Sequence, residues 1–112
     1  NRAPVLVERN NHGHAVIGYL ENQAEIAVLP GFDDRPGWHS TPAGKVRLYD
    51  TGAAAFMSGE ACVHTFTAMT QLQSIEKSTL RAPEGEHDDL ADAFVLAVQA
   101  QAIPNGVSIA FV

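Results

Sequence analysis

The feature that most constrains this chain is an apolar stripe between Asp88 and Ala102. Leu90, Ala93, Phe94, Ala97, Val98 and Gln101 recur at i, i+3, i+4, i+7, i+8 and i+11. That is the period of an α-helix with one covered face. Pro104-Asn105-Gly106 is expected to end it. A helix of this length draws little stability from its own backbone, so the remaining chain has to supply the surface that covers the stripe.

The remaining chain alternates between two kinds of pattern. Pro4-Val5-Leu6-Val7-Glu8 and Glu25-Ile26-Ala27-Val28-Leu29-Pro30 read as short strands, the second stopped by Pro30-Gly31. Between them, Ala15, Ile17, Gly18 and Leu20 fit a short helix from about Ala15 to Glu21. Thr41-Pro42 looks like a helix start, and Val46, Leu48, Tyr49, Ala53, Phe56 and Met57 carry that helix to Ser58. Gly52 weakens it, and Gly59 is placed to cap it. Glu60 to His64 is a β candidate, and Thr65 opens a helix with Phe66, Met69, Leu72 and Ile75 every three residues. Ser78 to Leu80 is a brief extended candidate, and Val107 to Val112 reads as a terminal strand or docked arm. Strands alternating with helices predict an α/β unit.

The length of 112 residues with 46% hydrophobic residues suits one small core. The chain opens with Asn1 rather than Met, so a piece of a longer polypeptide is expected, forming one partial domain over residues 1–112. The formal net charge of −6 argues against general affinity for phosphate and is compatible with carboxylates gathered for divalent cations. The single cysteine, Cys62, rules out an intrachain disulfide; its run Ala61-Cys62-Val63 predicts a small buried side chain in a reducing compartment. No run of about 18 apolar residues occurs, so no membrane segment is expected.

The chemistry concentrates in Glu84-Gly85-Glu86-His87-Asp88-Asp89-Leu90-Ala91-Asp92-Ala93, with three aspartates at a helix start. Asp88 and Asp92 are spaced i, i+4, and Asp89 and Asp92 i, i+3, so each pair shares a helix side. Such pairs repel unless a cation or proton lies between them. Capping of a solvated helix end explains the segment equally well. Glu8 ends the first strand, where α/β folds commonly place their sites, although a strand-end charge reaching solvent is the plainer account. Together the two acidic features suit a two-metal phosphodiester centre, in which one ion activates water and the other stabilises the leaving oxygen. Hard oxygen ligands point to two Mg²⁺ or Mn²⁺ ions.

Three segments resemble the nuclease domain of phage terminase large subunits. They are Val7-Glu8-Arg9-Asn10-Asn11-His12-Gly13, then Gly37-Trp38-His39-Ser40-Thr41-Pro42-Ala43-Gly44-Lys45, then Gly85-Glu86-His87-Asp88-Asp89-Leu90-Ala91-Asp92-Ala93. Each is weakly specific; their order over residues 5–100 is the stronger signal. The resemblance implies an RNase H-like nuclease fold, here its C-terminal portion with a long closing helix and without the N-terminal strands. It implies Glu8 as one metal ligand, and it assigns the last ligand to the Asp-Asp signature. RuvC-type resolvases share the fold and carry an acid or His three residues before an Asp-Ala pair; Asp89 and Asp92-Ala93 match that spacing. Asp89 is therefore favoured as the principal ligand, with Asp88 and Asp92 beside it. The resemblance implies metal-dependent endonucleolytic cleavage of double-stranded DNA during genome packaging, in the cytoplasm of a bacterial host. Terminase small subunit and portal protein are the implied partners of the full-length enzyme. The first catalytic Asp of this fold belongs to a strand upstream of Glu8, so the fragment by itself is expected to be inactive and to pair with a second copy through exposed sheet edges.

Lys45, Arg47, Asn10 and His12 are the candidate DNA contacts, each weighed against an ordinary solvated position. His14 is read in the same way, and His64 as structural. Trp38 is read as a packing anchor for its loop, and Asp33 and Asp34 as turn formers. Two other functions compete: a different RNase H-like nuclease of resolvase or transposase type, and a non-catalytic acidic α/β interaction module whose aspartates only cap a helix.

Overall fold

The computed structural model describes residues 3–10 and 12–103. Its elements are four helices: α1 (Gly13–Asn22), α2 (Pro42–Ser58), α3 (Phe66–Ser74) and α4 (Asp89–Gln101). The chain divides into two compact units. One holds Asn1–Thr41 and Ala100–Val112, and the other holds Pro42–Gln99. The Pro104-Asn105-Gly106 stop and the Val107 to Val112 segment lie outside the described residues, as does Asn11.

The expected α/β RNase H-like fold is overturned. Among the described residues β pairing amounts to isolated bridges: Val5 with Val28, Glu8 with Trp38, and Pro30 with Pro36 and Gly37. The apolar runs at 4–8 and 25–30 do approach each other as expected for strands. Val5 N–H donates to Ala27 O (3.0 Å) and Leu29 N–H to Val5 O (2.8 Å). Farther along, Trp38 N–H donates to Val7 O and Arg9 N–H to Trp38 O, both at 2.7 Å. The pairing of residues 5 and 28 goes no further because its next partners are engaged by the turn at 31–38: Leu29 O accepts from Gly37 N–H (2.9 Å), Val7 O from Trp38 N–H (2.7 Å), and Gly31 N–H donates to Arg35 O (3.0 Å). The candidate strands at 60–64 and 78–80 form no bridge. Without a sheet, the described residues offer none of the sheet edges through which pairing of copies was expected.

In the first unit the segment 31–38 folds back as a tight turn. Gly31 N–H donates to Arg35 O (3.0 Å), and Asp34 takes a left-handed backbone with φ of 61°. Gly37, with φ of 85°, lies where a Cβ would come within 2.5 Å of Ile17 Cδ1 and 2.9 Å of Val7 O, so only glycine fits. Ile17, Leu29, Trp38 and Ala100 are among the buried apolar residues of this unit, and Phe32 meets Trp38 edge-on with ring centroids 4.8 Å apart. Trp38 is the anchor its sequence context indicates, though its indole Nε1 is buried without a hydrogen-bond partner. The unexpected member of this core is Arg9, only 4% exposed. Its guanidinium forms a fork with Asp33, Nη2 to Oδ2 at 2.5 Å and Nη1 to Oδ1 at 3.3 Å, and Nη1 also reaches Pro36 O at 3.4 Å. Asp33 is thus more than a turn former. It neutralises a buried cation, and Arg9 in return holds its carboxyl down at about 2.

In the second unit α2 begins at Pro42 and ends before Gly59, whose φ of 81° is the left-handed conformation that terminates a helix. Its buried face is Gly44, Leu48 and Gly52, four residues apart. Val46, Phe56 and Met57, expected on the covered face, are exposed. The covered face of α4 keeps Val98 of the expected stripe but otherwise differs from it: Ala91 and Val95 are buried, whereas Leu90 is 43% exposed. The cause is Gly52, where a Cβ would lie 2.6 Å from Val95 Cγ1. The missing side chain lets α2 approach α4 closely over Val95 and so selects which face of α4 is covered. α3 is capped by Thr65, whose hydroxyl accepts from Ala68 N–H at 3.2 Å, and none of its residues is buried. Cys62, expected inside, is exposed, as is His64. No helix among the described residues is long and apolar enough to cross a membrane.

Candidate acidic site

Glu8 is an exposed carboxylate at the end of the extended segment in the first unit, one residue before the buried Arg9. Its backbone is tightly held. Glu8 pairs with Trp38, and the start of α1 packs against its carbonyl so closely that a Cβ on Gly13 would collide with Glu8 O. The glycine of the polar turn after the first strand is therefore a packing requirement. Asn10 uses its whole amide on the backbone of Ser40: Nδ2 donates to Ser40 O (3.2 Å) and Oδ1 accepts from Ser40 N–H (2.8 Å). In this arrangement Asn10 joins the first and second resembling segments instead of facing outward. His12 and His14 are exposed at the start of α1.

In the second unit the three aspartates have three different surroundings. Asp88, half-buried just before α4, accepts a hydrogen bond from Ala82 N–H through Oδ2 (3.1 Å), while its carbonyl accepts from Asp92 N–H (2.9 Å). Asp92 is bound by α2: Tyr49 donates its hydroxyl to Oδ1 at 2.6 Å, and Lys45 Nζ is 3.8 Å from the same oxygen. Burial and the neighbouring carboxylates, first Asp92 and then Asp88, push the Tyr49 hydroxyl far above the usual tyrosine range, so it stays a donor. Asp89 is exposed in the first turn of α4.

The N–H groups at this helix start are satisfied from elsewhere. Gln71 Oε1, on α3, accepts from Leu90 N–H (2.8 Å) and Ala91 N–H (3.3 Å). Gln71 carries no local sequence signal for that role, since 19 residues separate it from Leu90. Capping, one of the two explanations open from the sequence, is thus performed by a glutamine, and the aspartates are not needed for it. Of the expected DNA contacts on α2, Lys45 turns toward Asp92 and lies 6.0 Å from the Tyr49 ring centroid, and Arg47 is exposed.

The donor chemistry suits a hard cation such as Mg²⁺ or Mn²⁺. The assembly is incomplete, however: among the described residues no three His, Cys, Asp or Glu side chains gather so as to hold a metal ion. Asp88 and Asp92 each already carry an intramolecular bond. Comparison with protein-family models, with characterised proteins and with solved structures returned no match.

Proposed function

We propose that this chain is part of a metal-dependent DNA endonuclease of the terminase large-subunit type, in which Asp89 is the carboxylate that meets a cation. The observation that carries the reading is the division of labour at the start of α4. Asp88 and Asp92 are fixed by Ala82 and Tyr49, while Asp89 is exposed in the first helical turn between them. A held pair of flanking acids raises the local negative potential and leaves one carboxylate able to meet a cation. The order of the three resembling segments supports the same reading, as does the second of them opening a helix, here α2 from Pro42. Double-stranded DNA is the proposed substrate, with small subunit and portal as partners of the full-length enzyme.

The test uses paramagnetic Mn²⁺ and backbone amide resonances of the chain. Selective broadening of residues 88–92, reversed by excess Mg²⁺, is the expected result. Broadening spread evenly over all surface carboxylates would remove the nuclease reading.

A second reading, a non-catalytic acidic interaction module, is favoured by the internal bonds of Asp88 and Asp92. It predicts that even broadening.

A further inference from the structure

A separate cleft of about 380 Å³ lies along α3, between its exposed side and the turn at residues 85–87. Its lining combines Phe66, Thr70, Gln71, Ser74, Glu86 and His87. Phe66 is 87% exposed and stands at the rim of this cleft with its ring open to solvent.

Acceptors predominate in this lining, although Thr67 and His87 also line it and can donate. Thr70 gives its single hydroxyl hydrogen to Phe66 O (2.9 Å), and Ser74 gives its own to Gln71 O (2.9 Å). Both hydroxyls can therefore only accept from a ligand. Glu86 adds an acceptor-only carboxylate, and the lining contains no Lys or Arg. Gln71 has its Oε1 engaged by Leu90 and Ala91, which leaves its Nε2 as the donor it can present.

We infer that this cleft docks an arginine-bearing peptide segment of a partner protein. The guanidinium is a planar donor-only cation that forks onto a carboxylate and stacks on an aromatic face. It matches Glu86 and the open ring of Phe66, while Thr70 and Ser74, one and two turns along α3, offer acceptors to the donors of the rest of the segment. The Gln71 amide then donates to a carbonyl of the peptide backbone, a contact a bare cation cannot accept. The net charge of −6 favours approach of a basic partner. Neither Asp89 nor Glu8 takes part, so this surface stands or falls apart from the nuclease reading.

The probe is the blocked peptide acetyl-Gly-Arg-Gly-Arg-Gly-amide, titrated into the 112-residue chain while amide shifts are followed. Shifts are expected at residues 66–74 and 85–87. Glu86→Gln and Phe66→Leu, both at exposed positions, should each weaken binding by about tenfold. The same peptide with citrulline in place of arginine should lose binding to a similar extent. Equal affinity for the citrulline peptide overturns the inference, as do shifts centred elsewhere or an absence of binding. Equal affinity for free arginine overturns the assignment to a peptide. Circular dichroism of both variants confirms that they fold.

Discussion

The Tyr49 hydroxyl lies 2.6 Å from Asp92 Oδ1 and joins the middle of α2 to the first turn of α4. This bond gives the acidic cluster a structural half. Tyr49→Phe removes it and leaves Asp92 with Lys45 at 3.8 Å. A hydrogen bond to a charged group contributes about 1.5–3 kcal/mol, so urea unfolding should show a loss near the lower end of that range for this half-buried pair. An unchanged midpoint would mean the bond does not form in solution.

The same pair sets an alkaline limit. Below pH 10, the ordinary tyrosine value, both folded and unfolded Tyr49 keep their proton and stability is independent of this group. Above it, the unfolded chain loses the proton while the folded one retains it, so stability falls as pH rises. Wild type should lose stability above pH 10 more steeply than Tyr49→Phe, read from unfolding midpoints at pH 9 to 11.

Asp33 imposes the opposite limit. Its carboxyl sits at about 2 beside Arg9, below its ordinary value of 3.8. The stabilisation is complete above pH 3.8 and disappears as pH falls through 2. Asp33→Asn should lower stability at neutral pH, because Arg9 loses its counter-charge, and should flatten the acid limb of the stability profile between pH 4 and 2.

Two glycines should respond in opposite directions. Gly52→Ala brings a Cβ within 2.6 Å of Val95 Cγ1, an overpacking that costs about 1–3 kcal/mol and outweighs the ~1 kcal/mol that alanine gains in a helix. Gly18, on α1, has open space around it, and Gly18→Ala should stabilise by about 0.5–1 kcal/mol. Thermal unfolding of the two variants side by side checks both signs.

Gln71 provides a fifth test. Gln71→Ala withdraws the acceptor from Leu90 and Ala91 and should cost about 1 kcal/mol, the usual worth of an N-terminal cap. Gln71→Glu keeps an acceptor of the same length at the positive end of α4 and should retain most of the stability. Equal losses in both would argue against capping.

These interactions also show which parts of the molecule are legible in the amino-acid order. The bounds of α2 follow from Pro42 and Gly59, and α3 and α4 lie within a residue or two of the periodic segments, because caps and periodicity are local. Residues 4–8 and 25–30 have strand-like composition, yet they pair only in isolated bridges, because the turn at 31–38 takes up Leu29 O and Val7 O, a non-local event that composition does not announce. The covered faces of α2 and α4 were misread because hydrophobicity alone does not reveal that Gly52, with no side chain, is the point of closest approach. Arg9 with Asp33 and Gln71 with Leu90 are separated by 24 and 19 residues, and no local pattern announces such pairs. At the acidic site, the carboxylates at residues 88, 89 and 92 were conspicuous, but their different surroundings come from Ala82, Tyr49 and Lys45.

The central claim is that Asp92 holds the fold while Asp89 meets a cation. Thermal unfolding of wild type, Asp89→Ala and Asp92→Ala, with and without millimolar Mn²⁺, tests it most directly. Without metal, Asp92→Ala should melt lowest and Asp89→Ala close to wild type. With Mn²⁺ at tenfold excess over its Kd, wild type should rise by roughly 5 °C and Asp89→Ala should not move. A full Mn²⁺ shift in Asp89→Ala would contradict the account.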